Sequence, residues 1–252
     1  MKKYREIIFT VICLFISAFL YGCRPNEDQV EKMMLDTMRK RYGVEFEMRF
    51  SKPSRNVRNG IWVGDVLTDE LEGGTSVLVS FDPREKKSYN KIRDNYFITK
   101  YCLDVTNDFK NHFDLSGETF VYTTWMLADY TFPFEKGMTY EQAMKQYAFD
   151  EEKLCVTVLC EIGVDEPEEI LNTVIDAIEK TVHENIRVSI WLYSKSELEN
   201  ERFRVLYSYN QPQKRWDSLN RVGWLDKVDG NVQLTESERM ELIKGISAIG
   251  NE

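Results

Sequence analysis

The residues best suited to nucleophilic or metal chemistry in this 252-residue chain are few: Cys13, Cys23, Cys102, Cys155 and Cys160, with two histidines, His112 and His183. A zinc site needs Cys and His at short, repeated spacings, and no such spacing occurs. The G-x-S-x-G nucleophile turn and the phosphate loops G-x-x-x-x-G-K-[ST] and G-x-G-x-x-G are also missing from the sequence. No catalytic residue, metal ligand or cofactor is therefore assigned. Each histidine stands near the C-terminal end of a predicted helix, where the helix dipole favours a cation, and a structural role is expected for both. Carboxylates cluster at Asp65, Asp69, Glu70 and Glu72, and again at Glu161, Asp165, Glu166, Glu168 and Glu169. Such clusters bind cations or pair for glycoside hydrolysis. Here the first reads as a solvated loop and the second as a dipole-favoured helix start. Asp226-Lys227-Val228-Asp229-Gly230 lacks the third-position acid and terminal Glu of a calcium loop and predicts a turn. Tyr207, Tyr209, Trp216 and Trp224 lie near Arg215 and Arg221. That mixture either stacks a sugar, a peptide or a peptidoglycan fragment or completes a core and its rim.

The N-terminal segment carries a different chemistry. Lys2, Lys3 and Arg5 form a basic head, Ile7 to Tyr21 is apolar and uncharged, and Gly22-Cys23 follows. This is the layout of a secretory signal. As a helix the apolar run would be about 23 Å long at 1.5 Å per residue, short of the roughly 30 Å hydrocarbon core. Leu20-Tyr21-Gly22-Cys23 resembles the lipobox of bacterial lipoprotein precursors, with Tyr21 where that family has a smaller residue. The resemblance implies cleavage between Gly22 and Cys23 and a diacylglyceryl group on the Cys23 thiol. Two acyl chains hold a protein stably at a membrane, where one binds only marginally.

The balance of 33 Lys+Arg against 42 Asp+Glu gives −9 and argues against a nucleic-acid partner, which a basic stripe would serve. Removing residues 1–22 takes away Lys2, Lys3, Arg5 and Glu6, leaving 30 cationic and 41 anionic side chains, or −11. A chain this acidic is expected to gain nothing from anionic lipid, so the lipid alone does the tethering. With Cys13 removed and Cys23 acylated, three cysteines remain. Cys155 and Cys160 are an odd number of residues apart in a predicted strand, hence on opposite faces; all three are expected to be small buried hydrophobes.

The elements follow from periodicity and punctuation. Asn26 with Gln29 forms a capping box, a helix follows with Val30, Met33, Met34, Met38 and Tyr42 along one face, and Gly43 stops it. Val44, Phe46, Met48 and Phe50 alternate as a half-buried strand. Asn59-Gly60 is a turn, and strands are expected over Ile61–Thr68 and Ser76–Phe81. A long helix is expected from Lys91 to Phe113, and a strand over Phe120–Leu127. Thr139 and Gln142 cap a short helix near Tyr140–Tyr147. A strand over Leu154–Ile162 leads to a helix over Glu166–Val182, capped by Asp165 with Glu168. Strands follow at Ile186–Leu192 and Phe203–Tyr207, with a weaker one at Val222–Lys227, and Thr235 with Glu238 caps the last helix. The order predicts an α+β fold: antiparallel sheets with packed helices, in two similar helix–strand–strand–strand–helix halves. The domain reading is a signal peptide at 1–22, an N-terminal α+β unit at 23–114 on lipidated Cys23, and a C-terminal α+β unit at 115–252.

Tyr42-Gly43-Val44-Glu45-Phe46-Glu47, with Asp94-Asn95-Tyr96 opening a later helix, is similar to uncharacterised cell-envelope lipoproteins of Gram-positive bacteria. The resemblance implies a location and no activity. The resulting expectation is a lipid-anchored extracytoplasmic lipoprotein at the cell membrane, acting as a non-catalytic binding module. Its partner would be an envelope protein, a peptide or a cell-wall fragment. The alternatives are an envelope hydrolase whose carboxylates do not pair in sequence, and a solute-binding lipoprotein of a transporter.

Overall fold

The computed structural model describes residues 25–50, 52–71, 75–86, 91–125, 138–139, 142, 154–200 and 221–249. The first helix, α1 (Glu27–Tyr42), starts where Asn26 and Gln29 satisfy each other's backbone N–H groups, at 3.0 and 2.9 Å. Glu27 and Asp28 in its first turn and Arg39, Lys40 and Arg41 in its last complement the helix dipole. Gly43 ends it at φ 75°, a left-handed conformation that glycine adopts without strain, and its N–H bonds Arg39 O at 2.8 Å. Val30, Met34 and Met38 form its buried face.

That face covers a sheet made of β1 (Glu47–Met48), β2 (Ser54–Arg55), β3 (Trp62–Leu67), β4 (Val77–Phe81) and β5 (Ile92–Asp94). All pairings are antiparallel, in the order β1-β3-β4-β5, with β2 also against β3. Alternate residues of β3 and β4 are buried, as a one-sided sheet requires. Beyond Met48 the expected alternation ends, and Phe50 is 57% exposed.

The long helix expected from Lys91 is shorter at both ends. Ile92 and Asp94 are buried and Arg93 lies between them, so the first residues pair with β4 as β5. The helix α2 (Tyr96–Lys110) begins only after Asn95. A second sheet follows: β6 (Thr119–Trp125), β7 (Leu154–Glu161), β8 (Ile186–Tyr193), β9 (Arg221–Val228) and β10 (Asn231–Gln233), in the order β10-β9-β8-β7-β6. Two helices accompany it, α3 (Pro167–Lys180) and α4 (Glu236–Ile249). The sheet is antiparallel apart from β7 and β8, which run parallel because α3 carries the chain between them. The chain is therefore α+β, with one all-antiparallel sheet and one mixed sheet.

Among the described residues between Asn26 and Phe113 stand five strands, where three were expected. The helices that close the two halves also lie differently. Tyr96 and Phe97 of α2 belong to the first core, but Ile98, Cys102, Val105 and Phe109 pack into the second. The second core joins them to Val156, Val158, Leu171, Val174, Ile178, Val188, Ile190 and Leu192. The helix α4 packs on its own sheet through Leu242 and Ile246.

Asp165 does not cap α3. Glu166 is the N-cap and makes no side-chain cap bond. The Asp165 carboxylate instead accepts from Ser116 N at 3.0 Å and Gly117 N at 2.9 Å, satisfying two amides of the turn before β6. Thr139 and Gln142 do form their reciprocal bonds, at 3.0 and 3.3 Å. The rest of the helix near Tyr140–Tyr147 and the strand Phe203–Tyr207 fall outside the described residues.

Candidate functional site

The face of the second sheet turned away from its helices carries the polar chemistry. Along β8, Ile186, Val188, Ile190 and Leu192 enter the helix-side core. Period-two alternation therefore sends Arg187, Ser189, Trp191 and Tyr193 to the other side. On β9, Trp224 stands opposite Ser189 and Asp226 opposite Arg187. Arg187 grips Asp226 through Nε at 2.7 Å and a terminal nitrogen at 2.9 Å. This fork-to-fork geometry fixes the guanidinium plane. The Arg187 guanidinium carbon lies 5.6 Å from the Trp224 ring centroid, and that of Arg221 lies 5.1 Å from it. Trp224 is half-buried and Arg221 is exposed.

On the same face, across β7 and β8, runs a buried polar ladder. Trp191 Nε1 donates to Ser189 Oγ at 3.1 Å, and Ser189 Oγ donates to Thr157 Oγ1 at 3.1 Å. The Cys155 thiol reaches Ser189 Oγ at 3.9 Å. Burial pushes the Cys155 thiol up to about 11 and that of Cys160 up to about 12. Both stay protonated near neutrality, so neither is an activated nucleophile. Cys102, Cys155 and Cys160 are free and buried. The ladder pins β7 to β8, and the Trp224 indole on the next strand is flanked by two guanidinium groups. Guanidinium groups pair with carboxylates, and an indole stacks with planar groups.

The other residues singled out from the sequence do not gather here. His112 Nε2 lies 3.9 Å from Asp108 just past the end of α2, and His183 Nδ1 lies 3.4 Å from Tyr101 Oη. Glu70 accepts from Tyr96 Oη at 2.7 Å, and Glu161 accepts from Glu118 N at 3.1 Å. Among the described residues, no group of three His, Cys, Asp or Glu side chains is placed to hold a metal ion. Asp229 and Gly230, with φ of 48° and 77°, form the two-residue turn between β9 and β10. Gly22, Cys23, Glu72, Tyr207, Tyr209, Arg215 and Trp216 lie outside the described residues.

Sequence reasoning did not find a buried ionic lock in the first unit. Arg41, 7% exposed, pairs with Asp94, which is fully buried. Arg41 also donates to Ile92 O at 3.1 Å. Tyr42 Oη and Tyr96 N donate to the other Asp94 oxygen at 2.6 and 3.1 Å. Burial pushes the Asp94 carboxyl above the usual carboxylate range, against the pull of Arg41 and of the two bonds just named. Tyr42, Phe46, Tyr96 and Phe97 pack around it, with Tyr42 and Tyr96 centroids 4.3 Å apart. Tyr42 and Phe46 of the motif Tyr42-Gly43-x-x-Phe46-Glu47, and Asp94 and Tyr96 of Asp94-Asn95-Tyr96, belong to this lock, with Arg41 just ahead of the first motif. A second hidden contact is Lys227, 5% exposed, whose Nζ donates to Thr181 O at 2.9 Å beyond the end of α3.

No family model and no curated protein matches the chain. Among solved structures, it is similar to a DUF5037 family protein from Ruminococcus gnavus, at 11% sequence identity and a TM-score of 0.61. The match covers 86% of this chain and 99% of that one. At that identity the likeness concerns the fold alone.

Proposed function

We propose that this chain is a lipid-anchored extracytoplasmic lipoprotein that works by binding. The observation that carries this reading is Leu20-Tyr21-Gly22-Cys23 behind a basic head and an apolar run. It supports cleavage before Cys23 and diacylglyceryl attachment to the Cys23 thiol, which fixes the protein at the outer face of the cell membrane. Among the described residues, no helix is long and apolar enough to cross a membrane. The binding role draws support from Trp224, with Arg187 and Arg221 over its ring, on a sheet stiffened by the Trp191–Ser189–Thr157 ladder. That geometry suits a partner with a planar or carboxylate-bearing group, such as a peptide or cell-wall fragment.

Cys23→Ala tests the reading. The substituted chain is expected to leave the membrane fraction and to lose labelling by a fatty-acid probe. Labelling retained without Cys23 refutes the anchor.

A further inference from the structure

The acidity of the chain is unevenly placed. Residues 48–64 contain Arg49, Lys52, Arg55 and Arg58 and no acidic residue. The described ones form the end of β1, β2, the turn after it and the start of β3. Every residue from Ser54 to Asn59 is exposed, and Val57 at the tip is 96% exposed. Phe50, 57% exposed, lies at the base of the same segment. Lys52 is held by Asp28 at 2.7 Å, close to Glu27 and Glu31, and Arg49 reaches Ser76 Oγ at 3.1 Å and lies over Phe50. Arg55 lies over the Trp62 ring at 6.0 Å. Among the described residues no ion pair neutralises Arg55 or Arg58.

The position of this hairpin gives it a use. The first turn of α1 is tied to the β2 side of the sheet by Lys52–Asp28, and the last turn to β5 at the opposite edge by Arg41–Asp94. The helix therefore crosses the sheet with its start at the hairpin edge. Cys23 precedes Asn26 by three residues, at most about 11 Å of extended chain, and Val57 follows Lys52 by five, at most about 18 Å. We infer that the hairpin tip, with Val57 apolar and Arg55 and Arg58 cationic, docks on the anionic headgroup layer of the membrane and orients the tethered protein there. The inference rests on the anchor reading for its geometry. Apolar side chains enter the interface while cations meet anionic headgroups. Charge falls off within a Debye length, so the net −11 of the chain without residues 1–22 does not decide what the hairpin meets.

The test uses the full mature chain carrying Val57→Cys with a polarity-sensitive dye. Vesicles of phosphatidylcholine alone are compared with vesicles containing phosphatidylglycerol. The emission is expected to shift to the blue only with phosphatidylglycerol, and to lose the shift at high salt and in Arg55→Glu/Arg58→Glu. Each cation removed from the surface is expected to weaken docking about fivefold, the equivalent of ~1 kcal/mol. The same dye at Val228→Cys, on the β9–β10 hairpin, is expected to stay unchanged. Equal responses at the two positions, or a shift that survives charge reversal, overturn the proposal. A dye silent on vesicles but shifted on intact cells overturns it in favour of another envelope polymer or protein. Pelleting with phosphatidylcholine vesicles reads the anchor separately. A chain that stays in that supernatant yet shifts with phosphatidylglycerol keeps the docking and loses the anchor.

Discussion

The two sheets solve the same packing problem by different means. The second has three strands of eight residues, β7, β8 and β9, and buries β7 and β8 on both faces. Its core is mostly aliphatic: Val156, Val158, Ile170, Leu171, Val174, Ile178, Val188 and Ile190. Such side chains have few rotamers and no polar atoms to satisfy. The first sheet has strands of two to six residues. Its helix contributes Met34 and Met38, which adapt to many shapes. Orientation there comes from directed groups: Arg41 on Asp94, Tyr42 and Tyr96 on the same carboxylate, and four rings at edge or tilted angles.

The sharpest break of this contrast is Asp94→Ala, which strands the buried Arg41 charge and the Tyr42 hydroxyl. A loss of about 3–5 kcal/mol is expected in denaturant unfolding. Replacing both partners, as Arg41→Met/Asp94→Leu, is expected to recover most of that loss, because two matched apolar groups carry no unpaired charge. Within the aliphatic centre of the second core, among the described residues, there is no buried ion pair to replace. Leu171→Ala, at a fully buried site, is expected to cost about 2–5 kcal/mol through lost burial and the cavity left behind. A smaller effect is expected at Gly223, where an added Cβ would come within 2.5 Å of Leu242 Cδ2. Gly223→Ala should cost about 1–3 kcal/mol by overpacking, and Leu242→Ala in the same chain should remove most of that penalty in a double-mutant cycle. The smallest is Asn26→Ala, which opens the capping box of α1 and should cost about 1 kcal/mol, read as a lowered midpoint with an unchanged denaturant slope.

The legible parts of the molecule were those written in local pattern. The Asn26–Gln29 box, the Gly43 stop, the alternating strands β3, β4 and β8, and the Asp229-Gly230 turn each need only neighbouring residues. What stayed hidden depends on partners far apart in sequence. Lys91 to Asp94 continue a helical pattern, but the 53-residue contact from Arg41 to Asp94 draws Asp94 inward on a strand. Asp165 has the right spacing to cap α3, yet two amides 48 and 49 residues away claim it. The candidate site was half legible. Trp224, Arg221 and Asp226 are close in sequence, whereas Arg187, which Asp226 clasps, comes from the strand alongside.

One helix carries a consequence for how the chain unfolds. Tyr96 and Phe97 at the start of α2 are held in the first core, and Ile98 to Phe109 along its length are held in the second. A rigid rod gripped by both cores transmits loosening from one to the other, because neither can release its share without exposing the apolar face of the rod. A cut after residue 114 would carry away the helix that seals the other sheet, leaving each piece with bare hydrophobic surface. The two sheets should therefore melt in one cooperative transition, with a single calorimetric peak.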